Sequence, residues 1–166
     1  MMKLSKKTFI KAAIAGICST GTIGILAVIT YQTPLGIFLA ASFGSSMVLL
    51  FAYPESPFAQ PKNVFFGHLI TALVGVVFAE YIDLPMYVNI SMAVGAGVFL
   101  MVFCNVVHPP AGGNPIIVIV AGVSYEYLIN PIILGSFIML ALAIIINKFL
   151  LKKIIQSANN KQLLDI

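Results

Sequence analysis

The octapeptide at 108–115, His-Pro-Pro-Ala-Gly-Gly-Asn-Pro, is polar and helix-breaking and lies between two strongly apolar segments. Its prolines donate no backbone hydrogen bonds, and its glycines free the chain for unusual dihedrals. His108 directly precedes two prolines, which hold it extended or turned. With Asn105 and Asn114 it offers neutral hydrogen-bonding groups around a broken backbone. The amides of Gly112, Gly113 and Asn114 can form an anion-binding nest ahead of the next apolar run. Read more plainly, the stretch is a capped re-entrant loop that satisfies only itself.

Ser42, Ser45 and Ser46 are the matching donors of the first half of the chain. Lys62 stands beside Asn63 and just ahead of His68. A cation at a pore mouth attracts anions, and so does a helix N-terminus; the alternative is an ordinary lysine that sets topology. His68 lies about one turn into an apolar segment, where a histidine is expensive unless it is paired or faces water. It either bonds a loop carbonyl or donates to an anion and shuttles protons. The sequence has no Gly-rich phosphate loop, His-Glu-x-x-His, Cys-x-x-Cys or paired intramembrane carboxylates. The expectation is therefore no enzyme, no cofactor and no metal. An intramembrane hydrolase would require Ser45 or Ser46 within hydrogen-bond reach of a histidine.

Membrane segments must position these groups. The chain is 60% hydrophobic with only 8% charged residues, and its mean hydropathy is +1.07. A soluble domain carries about 25% charged residues, so this chain belongs in a lipid bilayer. Candidate segments are 12–30, 35–53, 64–82, 86–107, 115–127 and 131–150. A span needs about 20 apolar residues, so the fifth reads as a half-helix fed by the octapeptide. Four spans result if the second and fifth segments re-enter without crossing, six if they cross. The first segment is too long for a signal peptide and is expected to be retained.

The nine basic residues are all lysines; four precede the first segment, four lie at or after the end of the last, and Lys62 stands between the second and third. They suit an anionic leaflet better than nucleic acid. With six crossings and a cytoplasmic N-terminus every lysine falls inside, together with Glu55; Glu80, Asp83 and Glu126 fall on the far side. This reading gives one domain over 1–166, with residues 1–11 and a tail at 152–166 both cytoplasmic, in the inner membrane. The six tyrosines lie at segment ends, as an interfacial belt requires. Cys18 and Cys104 lack metal-ligand spacing and read as small buried hydrophobes.

Ala12, Gly16, Thr20 and Gly24 share one helix face, as do Gly67, Thr71, Gly75 and Ala79. Such faces let helices approach closely and are expected to build the bundle. A chain this small is also expected to form a homo-oligomer. The runs at 41–52 and 110–121 echo each other, each pairing a small polar stretch with an apolar one. Two halves of three segments would be inverted, an arrangement that places a transport site where broken helices meet. The fold class is all-α: a polytopic transmembrane helical bundle with broken or re-entrant segments.

Three ordered motifs carry a resemblance. Phe43-Gly-Ser-Ser-Met-Val-Leu-Leu-Phe-Ala is followed by Pro57, Gln60-Pro-Lys-Asn-Val and Gly67-His68, and then by His108-Pro109-Pro110-Ala-Gly. Over roughly 35–120 this resembles the HPP family of integral membrane proteins. The resemblance implies a four-helix transmembrane domain and, from plastid and cyanobacterial members, nitrite transport. Where the family motif leads one to expect arginine, this chain has Lys62, which keeps the charge but loses the planar fork. The expected function is a transporter or channel for a small anion, with nitrite implied by the family. The alternative is a non-transporting membrane subunit or scaffold, for which Lys62, His108 and Asn114 would be individually dispensable.

Overall fold

The computed structural model describes residues 6–149, with side chains from Thr8 onward. The expected tail at 152–166, its lysines and the first five residues lie outside the described residues. Four helices are long and apolar enough to cross a membrane: α1 (Lys6–Gln32), α3 (Pro61–Tyr81), α4 (Met86–Phe103) and α6 (Leu134–Phe149), the last extended by the kinked turn Leu128–Ile133. Two short helices stand between them, α2 (Ala41–Met47), which runs into a π turn at Val48–Ala52, and α5 (Asn114–Ala121).

Each short helix is preceded by an irregular or 3-10 stretch. Residues 36–40 are irregular chain that descends from the end of α1, where the Phe38 amide bonds Thr30 Oγ1 at 3.0 Å. Helical residues 41–52 follow, and Tyr53 ends against Lys11, whose Nζ lies 4.3 Å from the ring centroid. The second broken crossing rises beside α3. A Cβ on Gly67 would meet His108, one on Gly75 would meet Pro115 and Val118, and the Tyr125 hydroxyl reaches that of Tyr81 at 3.4 Å. The four helices long and apolar enough to cross a membrane agree with the four-helix domain implied by the family resemblance. Lys11, Lys62 and Lys148 sit at one end of the bundle, with Glu55, while Glu80, Asp83 and Glu126 sit at the other.

The packing repeats under exchange of halves. The first broken crossing runs in step with α6, from Phe38 beside Gly135 to the Leu50 carbonyl bonded by Asn147 Nδ2 at 2.9 Å. The second runs in step with α3. Each half thus lays its broken element against the third helix of the other half.

Most of the surface is apolar, with Ile17, Val28, Phe99, Phe103 and Phe137 exposed, as lipid-facing helices require. The core joins Leu26, Phe43, Leu50, Val64, Ile132 and Met139 between α1, the first broken crossing, α3 and α6. The two small-residue faces part company here. Gly67 and Gly75 hold the second broken crossing against α3. Ala12, Gly16, Thr20 and Gly24 are all exposed, and a Cβ on Gly16 or Gly24 would touch nothing. The expectation that both faces build the bundle therefore fails for α1. Cys104 is exposed at the end of α4 and Cys18 is only partly covered, so neither is the buried hydrophobe expected.

Candidate functional site

The starts of α2 and α5 meet deep in the bundle. Prolines at the heads of the 3-10 turn Pro109–Gly113 and of α5 explain the second break, since a ring nitrogen cannot continue the backbone ladder. α4 ends in a Schellman turn, with the Val106 amide on the Met101 carbonyl at 2.9 Å and the Asn105 amide on that of Val102 at 3.0 Å. Asn105 takes the left-handed position of that turn, φ 53°. Its backbone is a helix terminator that aims the chain at His108, a role distinct from the ligand role expected of it.

His108 is the hub. Its Nδ1 lies 2.7 Å from the Phe58 carbonyl, which can only accept, and its Nε2 lies 2.8 Å from Ser46 Oγ. Ser46 Oγ is also 3.1 Å from Nε2 of His68. His68 Nδ1 faces Asn114 Nδ2 at 3.1 Å and Ser42 Oγ at 3.4 Å. Asn114 Nδ2 further donates to Thr71 Oγ1 at 3.0 Å and to the His68 carbonyl at 3.2 Å. The His68 ring packs edge-on against Phe43 and His108, with centroids 5.1 and 5.0 Å away. Ser46, His68, Thr71, His108 and Asn114 are all completely buried, and Ser42 is nearly so. Counting along α3 from Pro61, the cluster sits about 10–15 Å from the lysine end.

The structure therefore unites Ser42, Ser46, His68, His108 and Asn114 from the expected set and leaves the others outside. Ser45 is exposed and donates to the Ser42 carbonyl at 2.9 Å, one helical turn back. Lys62 is exposed at the start of α3, with no hydrogen bond into the cluster among the described residues. Asn63 is buried but secures the loop below, donating to the Pro57 carbonyl at 2.8 Å. Gln60 does the same to the Ser56 carbonyl at 3.1 Å. The expected nest is not formed. The Asn114 amide is used on the Ala111 carbonyl, and Gly112 and Gly113 lie in a 3-10 turn without positive φ. A nest needs a left-handed residue after a right-handed one. Sequence reading overlooked Thr71 as a site member and the Phe58 carbonyl. Thr71 had a signal: it follows His68 by three positions and so shares its face.

At the opposite end a cavity of about 580 Å³ opens between the 33–40 and 122–130 loops, lined by Gly36, Gly122, Ser124, Glu126, Tyr127 and Asn130. Burial pushes the Tyr127 phenol up to about 12, so it stays neutral at physiological pH. Neither its hydroxyl nor Asn130 Oδ1 has a hydrogen-bond partner among the described residues. No group of three or more His, Cys, Asp or Glu side chains that could hold a metal occurs among the described residues.

Comparison with known proteins agrees with this architecture. A transmembrane protein of Dictyostelium discoideum is 36% identical over 140 residues, covering 78% of this chain and 49% of that protein. A second transmembrane protein of the same organism is 33% identical over 139 residues, 78% of this chain and 45% of its own length. The chain thus spans about half the length of the curated relatives it matches. No solved structure matches it. The family described as HPP, transmembrane region, matches residues 3–154, and with the buried His108 of its His-Pro-Pro turn at the centre of the fold this chain belongs to that family.

Proposed function

We propose that this protein carries a small anion across the bilayer, nitrite on the precedent the family resemblance supplies. One observation carries the reading. The starts of two half-helices of opposite direction converge inside an apolar bundle on a buried cluster of neutral donors, with Ser46 of one crossing bonded to His108 of the other at 2.8 Å. A network of this kind contributes little to stability for its desolvation cost, so at membrane depth it marks a working site. Inverted halves that share such a site can rock about it to open alternate ends. Lys62 acts outside the site, concentrating anions at the lysine end, which the positive-inside rule makes cytoplasmic. The exposed small-residue face of α1 suits association with a second copy in the inner membrane.

The test is nitrite flux into proteoliposomes. His108→Ala is expected to lower flux by about tenfold or more, because it removes a group central to the site. Lys62→Ala is expected to lower it only about two- to threefold, with the difference vanishing at high salt. Undiminished flux in folded His108→Ala protein would remove the cluster from the path. A parent protein silent toward nitrite, nitrate, formate and bicarbonate would instead favour the scaffold reading.

A second reading, an intramembrane hydrolase, draws on the same contact, since Ser46 lies within hydrogen-bond reach of both histidines. Two features weigh against it. His68 occupies the oxygen that would attack, and the group behind His108 is the Phe58 carbonyl rather than a carboxylate able to stabilise an imidazolium. Covalent labelling of Ser46 by a fluorophosphonate probe would decide for the enzyme; the transport reading expects none.

A further inference from the structure

The hydrogen-bond partners of the two histidines determine which nitrogen of each carries the proton. Asn114 Nδ2 is held by the His68 carbonyl at 3.2 Å and Thr71 Oγ1 at 3.0 Å, and it can only donate. Its two hydrogens are shared among these and His68 Nδ1, 3.1 Å away; with Nδ1 facing a donor, the ring proton of His68 is assigned to Nε2, facing Ser46 Oγ at 3.1 Å. At the other end the Phe58 carbonyl can only accept, so His108 is protonated on Nδ1 and its Nε2 accepts the Ser46 hydroxyl at 2.8 Å. With the Ser46 hydroxyl turned to His108 rather than to the Ser42 carbonyl 3.1 Å away, His68, Ser46 and His108 form one singly oriented line of donors and acceptors.

The same cluster lacks a counter-charge. The groups turned toward the histidines are Ser42, Phe43 and Ser46 from the first broken crossing, Thr71 from α3, Asn114 from the second crossing, and the Phe58 carbonyl from the loop below. Among the described residues no Lys, Asp, Glu, Tyr or Cys hydrogen-bonds to any of them. A bare anion brought here would lose its water and gain no opposite charge, the costliest state a buried group can occupy. One acceptor is also unspent: Asn114 Oδ1, on a completely buried side chain, has no partner. An O–H donor satisfies that oxygen and an anion repels it.

We propose, resting on the transport reading above, that the site takes its anion together with one proton, so that the cargo is the conjugate base of a weak acid, and that His68, Ser46 and His108 are the proton wire. The neutral acid replaces Asn114 at His68 Nδ1 and gives up its proton there only as its anion moves out toward water at the lysine end, so that no bare anion is left in the site. The Nε2 proton of His68 passes to Ser46 Oγ, the Ser46 hydroxyl proton passes to His108 Nε2, and the Nδ1 proton of His108 leaves past the Phe58 carbonyl to water at the lysine end. One acid O–H bond breaks, one proton is released, and no electron changes hands. Run backward from the shifted tautomers, the same hops protonate an incoming anion.

The experiment uses the full chain in proteoliposomes with nitrite, formate and nitrate as probes, subtracting uptake by protein-free vesicles. A proton gradient and a potassium–valinomycin potential are imposed separately. Nitrite and formate uptake should follow the proton gradient and ignore the potential, and nitrate, the anion of a strong acid, should not be carried. Ser46→Ala, which cuts the wire and keeps both histidines, should lower proton-driven uptake by about tenfold or more. Ser46→Thr, which keeps the hydroxyl, should restore it. Uptake that follows the potential, equal in parent and Ser46→Ala, would overturn the wire and leave anion transport standing. Uptake of none of the three probes under either gradient would overturn both.

Discussion

A single hydrogen atom in place of a methyl group decides whether the two histidines can meet. A Cβ at Gly67 would lie 2.8 Å from that of His108 and 3.1 Å from the Val106 carbonyl. Gly67→Ala is therefore expected to cost about 1–3 kcal/mol, as overpacking does, and to push His108 off Ser46. Gly112→Ala is the contrast. Nothing lies within 4 Å of its Cβ position and its φ is not positive, so stability should stay within about 0.5 kcal/mol of the parent. Thermal unfolding in detergent, read by size-exclusion recovery, separates the two. Sequence alone singled out both glycines. It placed Gly112 in the anion nest and Gly67 in a packing stripe, and only the second reading survives. Clearance around a missing side chain depends on the neighbouring element, which no local pattern encodes.

At the scale of elements, Asn147 ties α6 to the π turn that ends the first broken crossing, donating to the Leu50 carbonyl at 2.9 Å and to that of Ala143 at 2.8 Å. Asn147→Leu would leave a buried carbonyl without a donor, a loss of about 1–3 kcal/mol. It would also remove Asn147 Oδ1, itself buried and unpartnered, so the net expectation is a loss of about 1 kcal/mol in the same unfolding assay. The long helices were legible from apolar length, and the second break announced itself through three prolines and two glycines. The first break did not. Nothing in 35–53 forbids a continuous helix, and the extended approach to Ala41 is imposed by packing of Phe38 against Gly135 rather than by local propensity.

For the whole molecule, both ends of the described chain, at Lys11 and Lys148, lie at one end of the bundle. With Cys18 and Cys104 replaced, single cysteines at Lys62 and Glu126 should react with a membrane-impermeant maleimide from opposite sides of sealed vesicles. Labelling of both from the same side would reduce the count of crossings. Lysine distribution pointed to this arrangement. The contact between Ser46 and His108, 62 positions apart, had no local signal. The pairing of the first broken crossing with α6 also bears on biosynthesis. A ribosome delivers residues 36–53 long before it delivers 134–149, so Phe38, Phe43 and the Leu50 carbonyl wait uncovered while most of the chain is made. A message cut short after Tyr127 would thus yield not a smaller working protein but a nascent one whose first half never closes, a ready substrate for membrane quality control.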